Sequence, residues 1–222
     1  MKTAGPFRFD PMLLMNQEPS NNHSIPAFAP LVSNAFDHLT GLPAKIEIPK
    51  GTVLVRQGFT GEPVSLVQNG LVKLVSVGQN GRLAMLGLRS SGWYAGAASA
   101  VLSTVSIYSV ITLTRCSIMR SPARSFVARL GKDLPLTMHF LSTLASETIS
   151  MARLRVHLTA DTAEERLCAF MRERTFPDPE WEVRDPLPQL KQVDLAHLLA
   201  LTPEHLNRTL RKMKQGSKVI SD

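Results

Sequence analysis

The residues best suited to chemistry stand near the C-terminus, in "LALTPEHLNRTLRKMK", residues 199 to 214. Thr202 is a strong helix N-cap, Pro203 suits the first helical position because its missing N–H would have no partner there, and Glu204 suits the positive end of the helix dipole. Leu206, Leu210 and Met213 then recur at spacings of four and three, so they share one face, and His205, Arg208, Arg211 and Lys212 lie off it. Between Pro203 and Lys218 five cations (Arg208, Arg211, Lys212, Lys214, Lys218) oppose one anion, Glu204. A helix that is apolar on one side and cationic on the other suits a polyanion. Just upstream, "KQVDLAHLL" from Lys191 to Leu199 spaces Val193, Leu195, Leu198 and Leu199 as a short amphipathic helix. Two short helices and a tight turn form the helix-turn-helix plan for entering the DNA major groove. On these residues alone, an ordinary solvated surface helix would read the same way.

No competing chemistry stands out. Cys116 and Cys168 have no CxxC partner and no histidine at ligand spacing, so they read as buried thiols. No nucleophile is paired with a base, no carboxylate pair sits in a Gly-rich loop, and no metal spacing occurs, which argues against an enzyme and against a cofactor or metal. His23, His38, His139 and His157 are isolated, as packing or solvent histidines usually are, and do not suggest haem. The 222 residues carry 25 Lys and Arg against 18 Asp and Glu, a net charge of +7, which favours an anionic partner without proving one. No apolar run reaches the roughly 18 to 20 residues needed to cross a bilayer, and the N-terminus lacks a signal-peptide pattern. The expected location is cytoplasmic, with no membrane partner.

The rest of the chain must position that helix pair. Residues 1–30 hold five prolines among Asn and Ser and read as a flexible leader. The stretch 28–42 could form one or two helical turns. From 44 to 120, short alternating runs rich in Val, Ile, Leu and Thr read as strands of a small antiparallel barrel or roll, with Asn69-Gly70 and Asn80-Gly81 as tight hairpin turns. Asp133 to Leu158 has no Gly, and no Pro after Pro135, which predicts one helix of about 35 Å at about 1.5 Å per residue. Leu134, Leu141, Leu144, Thr148, Met151 and Leu158 fall near a three-four repeat, an apolar seam for either the protein's own core or a partner helix. Thr162 and Glu165 match a capping box that starts a further helix with a Leu167, Phe170, Met171 stripe. Four prolines between 177 and 188 then impose a loop, or a short strand around Trp181 to Val183.

In this context "QVDLAHLLALTPEHLNRTLRKMK" resembles the recognition unit of Crp/Fnr-type bacterial transcription regulators, and "QNGLVKLVSVGQNGRLAMLGLRSSGWYAG" resembles that family's effector roll. The resemblance spans about residues 31 to 222. It implies an α+β fold: an antiparallel cyclic-nucleotide-binding-like roll at 31–132, a dimerisation helix at 133–158 with Leu141, Leu144, Thr148 and Met151 in the seam, and a winged helix-turn-helix at 159–222. It also implies a homodimer on double-stranded DNA with a near-palindromic operator, and RNA polymerase as a candidate partner. Glu204, Asn207 and Arg208 would sit at its base-reading positions, where a carboxylate accepts from cytosine N4, Asn pairs with adenine and Arg forks onto guanine. Thr202, His205, Arg211, Lys212 and Lys214 would contact phosphate.

The departures are informative. Cyclic-nucleotide-binding members carry Gly-Glu and, about ten residues on, Arg-Ser. Here Gly96 is followed by Ala97, and Ile107 and Tyr108 stand at the later pair, so the ribose acceptor and the phosphate cation are both missing. Each lost charge-assisted contact costs roughly 1.5 to 3 kcal/mol, which predicts that cyclic AMP binding is lost. Ala200 occupies a turn position where Gly is usual, at a cost of roughly 1 to 2 kcal/mol if the backbone is left-handed there. The C-terminal wing reads as shortened. The rival expectation is therefore a small-molecule-binding or protein-interaction module that has lost DNA binding with its wing.

Overall fold

The computed structural model describes the backbone of residues 45–173 and 190–219, and the side chains of 45–170 and 190–213. Eight strands form two antiparallel four-stranded sheets. In the first, β1 (Lys45–Ile48), β8 (Cys116–Ser121), β3 (Val64–Asn69) and β6 (Tyr94–Ala95) lie in that order. In the second the order is β2 (Val53–Val55), β7 (Ser109–Thr112), β4 (Val72–Val77), β5 (Leu83–Arg89). The alternating apolar positions meet between the sheets as Leu54, Val55, Val67, Val72, Leu74, Val110 and Ile118, so the roll expected from the sequence is present.

The two Asn-Gly turns differ. Asn80-Gly81 joins β4 to β5, with Gly81 at positive φ, a hairpin as expected. Asn69-Gly70 does not make a hairpin: β3 and β4 lie in different sheets. Gly70 (φ +100°) turns the corner between them, where a Cβ would come within 2.6 Å of the Arg115 carbonyl oxygen and 2.7 Å of Cys116 Sγ. The requirement for glycine is close approach as well as conformation.

The roll closes onto helices. Between β6 and β7 lies the short α1 (Ala97–Leu102); after β8 come α2 (Ala123–Leu130) and the long α3 (Leu134–Ala160). Asp133 caps α3 by accepting from the Leu136 N–H at 3.1 Å. Tyr94 of β6, Phe126 of α2 and Phe140 of α3 pack edge-on or tilted at 5.5 to 5.7 Å between centroids, the arrangement favoured by ring quadrupoles. The Tyr94 hydroxyl is also hydrogen-bonded to His139 Nδ1 at 2.7 Å. On this side α3 buries Leu136, His139, Phe140, Thr143, Ser150 and His157.

Its opposite side carries Leu134, Leu141, Leu144, Thr148, Met151 and Leu158, all exposed. The apolar seam read from the sequence is therefore not the protein's own core. Met138, Ile149 and Val156 widen the exposed apolar strip.

Beyond α3, Thr162 and Glu165 form the expected capping box: the Thr162 N–H donates to Glu165 Oε2 at 2.7 Å and the Glu165 N–H to Thr162 Oγ1 at 3.3 Å. Then follow α4 (Ala163–Glu173), α5 (Gln192–Leu198) and α6 (Pro203–Val219). Leu167 and Phe170 of α4 are buried as expected; the Met171 side chain, the leader, the 28–42 stretch and the Trp181 region lie outside the described residues. The described residues end with α6, so the expected wing lies outside them. None of the described helices is long and apolar enough to cross a membrane.

The sequence reading divides the chain at about residue 159, but the packing runs across that division. One buried cluster contains Leu71, Val75, Met85, Leu88 and Leu113 of the roll together with Leu167, Phe170, Leu195, Leu198, Leu199 and Leu206 of the helical part. The outer face of the second sheet is apolar because α5 lies on it.

Candidate nucleic-acid interface and effector pocket

The turn between α5 and α6 is built as a left-handed C-cap. The Ala200 N–H donates to the His197 oxygen at 3.2 Å, and the Leu201 N–H to the Ala196 oxygen at 2.8 Å, the paired bonds of a Schellman ending. Ala200 holds φ +52°. The turn keeps the geometry that favours glycine although alanine occupies it.

Thr202 caps α6 as expected, accepting from the His205 N–H at 3.2 Å. Leu206 and Thr209 are buried, with Leu210 and Met213 packed against the core. Glu204, His205, Asn207, Arg208, Arg211 and Lys212 all face solvent. Their side chains are held to different degrees. The Glu204 carboxyl lies below the ordinary carboxylate range because its own backbone N–H and the Thr202 hydroxyl hydrogen-bond to it, with a smaller contribution from Arg208. Asn207 Oδ1 accepts from Gln192 Nε2, which fixes the amide beside α5. Lys212 pairs with Glu164 of α4 at 2.9 Å, so its charge is partly compensated inside the helical unit. The Lys214 side chain lies outside the described residues. One outer surface thus combines an acceptor, an amide and two arginines, the set that can read base edges and grip phosphate.

Within α5 the structure corrects the sequence reading. Leu195, Leu198 and Leu199 are buried, but Val193 is exposed and Asp194 takes the inward place. Asp194 Oδ1 accepts from Lys73 Nζ of β4 at 2.7 Å. The helix is rotated so that a carboxylate meets a lysine on the sheet.

The second place of interest is the segment Gly96–Tyr108. Gly96 has φ +82° and caps α1, and a Cβ there would lie 3.3 Å from Val55 Cγ2. Ala97 begins α1 and is 1% exposed, whereas Ile107 is 70% exposed. Neither carries a polar side-chain atom, so this pair supplies no acceptor for a ribose hydroxyl and no cation for a cyclic phosphate. The residues present do not fit such a ligand. Tyr108 is half-buried against the inter-sheet core. Burial above all, then the nearby Glu147 carboxylate, raises its phenol pKa, and Arg89 opposes them.

Those two charges were not singled out from the sequence. Arg89, at the end of β5, is 1% exposed, yet its guanidinium forks onto Glu147 of α3, with Nε donating to Oε1 and Nη2 to Oε2 at 2.8 Å, while Nη1 donates to the Leu88 oxygen at 2.6 Å. A buried bidentate pair satisfies most of its donors. The only sequence signal was an arginine closing an apolar strand and a single glutamate inside an otherwise uncharged stretch of helix. Cys116 is buried, its thiol pKa raised by desolvation, in keeping with the inert reading, whereas Cys168, also read as buried, is only half-buried. Among the described residues no cluster of His, Cys, Asp and Glu is suited to a metal.

This architecture, a two-sheet roll closed by a long helix and followed by a helix-turn-helix, is the fold of the Crp/Fnr regulators. Residues 45–133 match the cyclic nucleotide-binding domain family. Among solved structures, the chain is similar to the c-di-GMP-responsive global regulator CLP of Xanthomonas campestris, with a TM-score of 0.67 and 18% identity over 82% of this chain and 92% of that one. It is also similar to FixK2 of Bradyrhizobium japonicum (TM-score 0.64, 19% identity, 78% and 85% covered) and to a CRP-family transcriptional regulator of Thermus thermophilus (TM-score 0.63, 16% identity, 78% and 85% covered). No curated protein sequence matches significantly.

Proposed function

We propose that the chain is a sequence-specific DNA-binding transcription regulator that acts as a homodimer and does not respond to cyclic AMP. The observation that carries this reading is the outer face of α6. Glu204, Asn207 and Arg208 are exposed together on a helix whose opposite side is pinned by Leu206 and Thr209. Arg208 forks onto guanine O6 and N7, Glu204 accepts from cytosine N4, and Asn207 pairs with adenine after releasing Gln192. Thr202, His205, Arg211, Lys212 and Lys214 hold the phosphates and set the register. The exposed strip on α3 receives the same strip of a second copy, and two-fold symmetry then requires half-sites about one helical turn apart in a near-palindrome. With Ala97 and Ile107 at the two ligand positions, the roll lacks the groups that would grip a cyclic nucleotide.

Selection of bound duplexes from a randomised pool at about 0.15 M salt tests the reading directly. Enrichment of a palindrome is the expected result. A folded protein that returns an unenriched pool refutes it.

A further inference from the structure

On α6, Asn207 meets a side chain from the other helix of the pair: Gln192, the first residue of α5, donates from Nε2 to Asn207 Oδ1. Both ends of this contact stand on fixed backbone. Leu195 and Leu198 are buried beneath α5, and Asp194 ties that helix to Lys73 of the sheet at 2.7 Å. Leu206 and Thr209, on either side of Asn207, are buried as well. Gln192 and Asn207 themselves face solvent. The amide pair therefore lies on the surface offered to DNA, with neither helix free to carry it away.

An asparagine amide has one oxygen that accepts and one NH2 that donates. To fork onto adenine it uses both, the oxygen for the N6 amino group and the NH2 for N7, whereas guanine offers two acceptors, O6 and N7, in the major groove. While Gln192 occupies Oδ1, Asn207 turns its NH2 outward, which suits guanine. Once released, the same amide suits adenine. We infer that Gln192 is a specificity-determining residue that sets which purine Asn207 reads. It touches the base only through Asn207 and is in that sense a positioning residue. An exposed bond between two neutral amides is worth only about a fivefold ratio, so the two states compete and the unaltered chain accepts both purines at that half-site position. The inference rests on the DNA-binding reading above and deepens it.

The test is duplex selection at about 0.15 M salt with the full chain, for the unaltered protein, N207A, Q192A, Q192E and the double variant Q192A/N207A. Gln192 is exposed, so its variants leave the packing intact. N207A should lose the purine preference at one half-site position and thereby identify it. There the unaltered protein should return adenine and guanine together. Q192A frees Oδ1, and the adenine-to-guanine ratio should rise about fivefold. Q192E sets an acceptor against the Asn207 NH2, turns Oδ1 outward and should also reject guanine, while its charge lowers affinity for every duplex alike. In the N207A background, Q192A should move nothing at that position. An unmoved ratio in Q192A, even with a uniform loss of affinity, would reduce Gln192 to a phosphate contact or a bystander and overturn the inference, leaving the regulator reading in place. A ratio that falls in Q192A would mean that Gln192 steadies Asn207 on adenine, which overturns it too. An unenriched pool from the unaltered chain would remove the regulator reading and this inference with it.

Discussion

Among the described residues two ion pairs tie the helices to the roll, and they are built differently. Arg89 to Glu147 is a planar fork on an almost wholly buried guanidinium, standing between β5 and α3. Lys73 to Asp194 is a single contact between an ammonium and one carboxylate oxygen, at the edge of the apolar cluster that joins β4 and β5 to α5. The first pair leaves a buried guanidinium to be satisfied by Glu147 and the Leu88 oxygen, because Arg89 is shielded from water. The second borders leucines that would hold α5 in place without it, and the lysine stem can carry its charge outward. One joint depends on charge and the other on apolar area.

The largest effect should come from breaking the fork. Glu147→Ala strands the Arg89 charge in the interior and should lower unfolding stability by about 3 to 5 kcal/mol, read by chemical denaturation. The double change R89L/E147L should recover most of that loss. If Glu147→Ala costs less than about 1 kcal/mol, the fork is not a buried pair in solution. Leu198→Ala, in the shared cluster, should cost about 2 to 4 kcal/mol, whereas Asp194→Ala should cost only about 1 kcal/mol as Lys73 turns to solvent. The reverse order would make the second joint electrostatic like the first.

Arg208→Ala should leave stability unchanged, weaken binding to a selected duplex by about 1 to 3 kcal/mol and relax one half-site position. Equal loss on random DNA would make it a phosphate contact only. The smallest effect, and the one gain, is Ala200→Gly, which should stabilise the chain by about 1 kcal/mol by relieving the left-handed strain, read as a raised Tm.

What was legible in the sequence was local. The capping box at Thr162 and Glu165, the cap at Thr202 and the exposed set on α6 are decided within one or two helical turns, and the structure has them where the spacing put them. The α3 seam was legible as periodicity, although only the opposite face, packed on the roll, shows which side is inside. The misreadings were non-local. Asn69-Gly70 has the composition of a hairpin turn, but the sheet that each flanking strand joins is set by β8 and β7 far along the chain. Val193 and Asp194 exchange inside and outside because Lys73, 121 residues away, offers the carboxylate a partner. Arg89 and Glu147 lie 58 residues apart, and nothing near either residue marks the other as its counter-charge.

The leucines that run from the second sheet into α5 and α6 also bear on modularity. A chimaera cut after α3 would carry the C-terminal helices away without Leu71, Val75, Met85, Leu88 and Leu113 of their shared cluster, and the roll left behind would present a bare apolar sheet to water. Changes on the outside of α6 are therefore expected to be tolerated one residue at a time, with the surrounding architecture moving only as one piece.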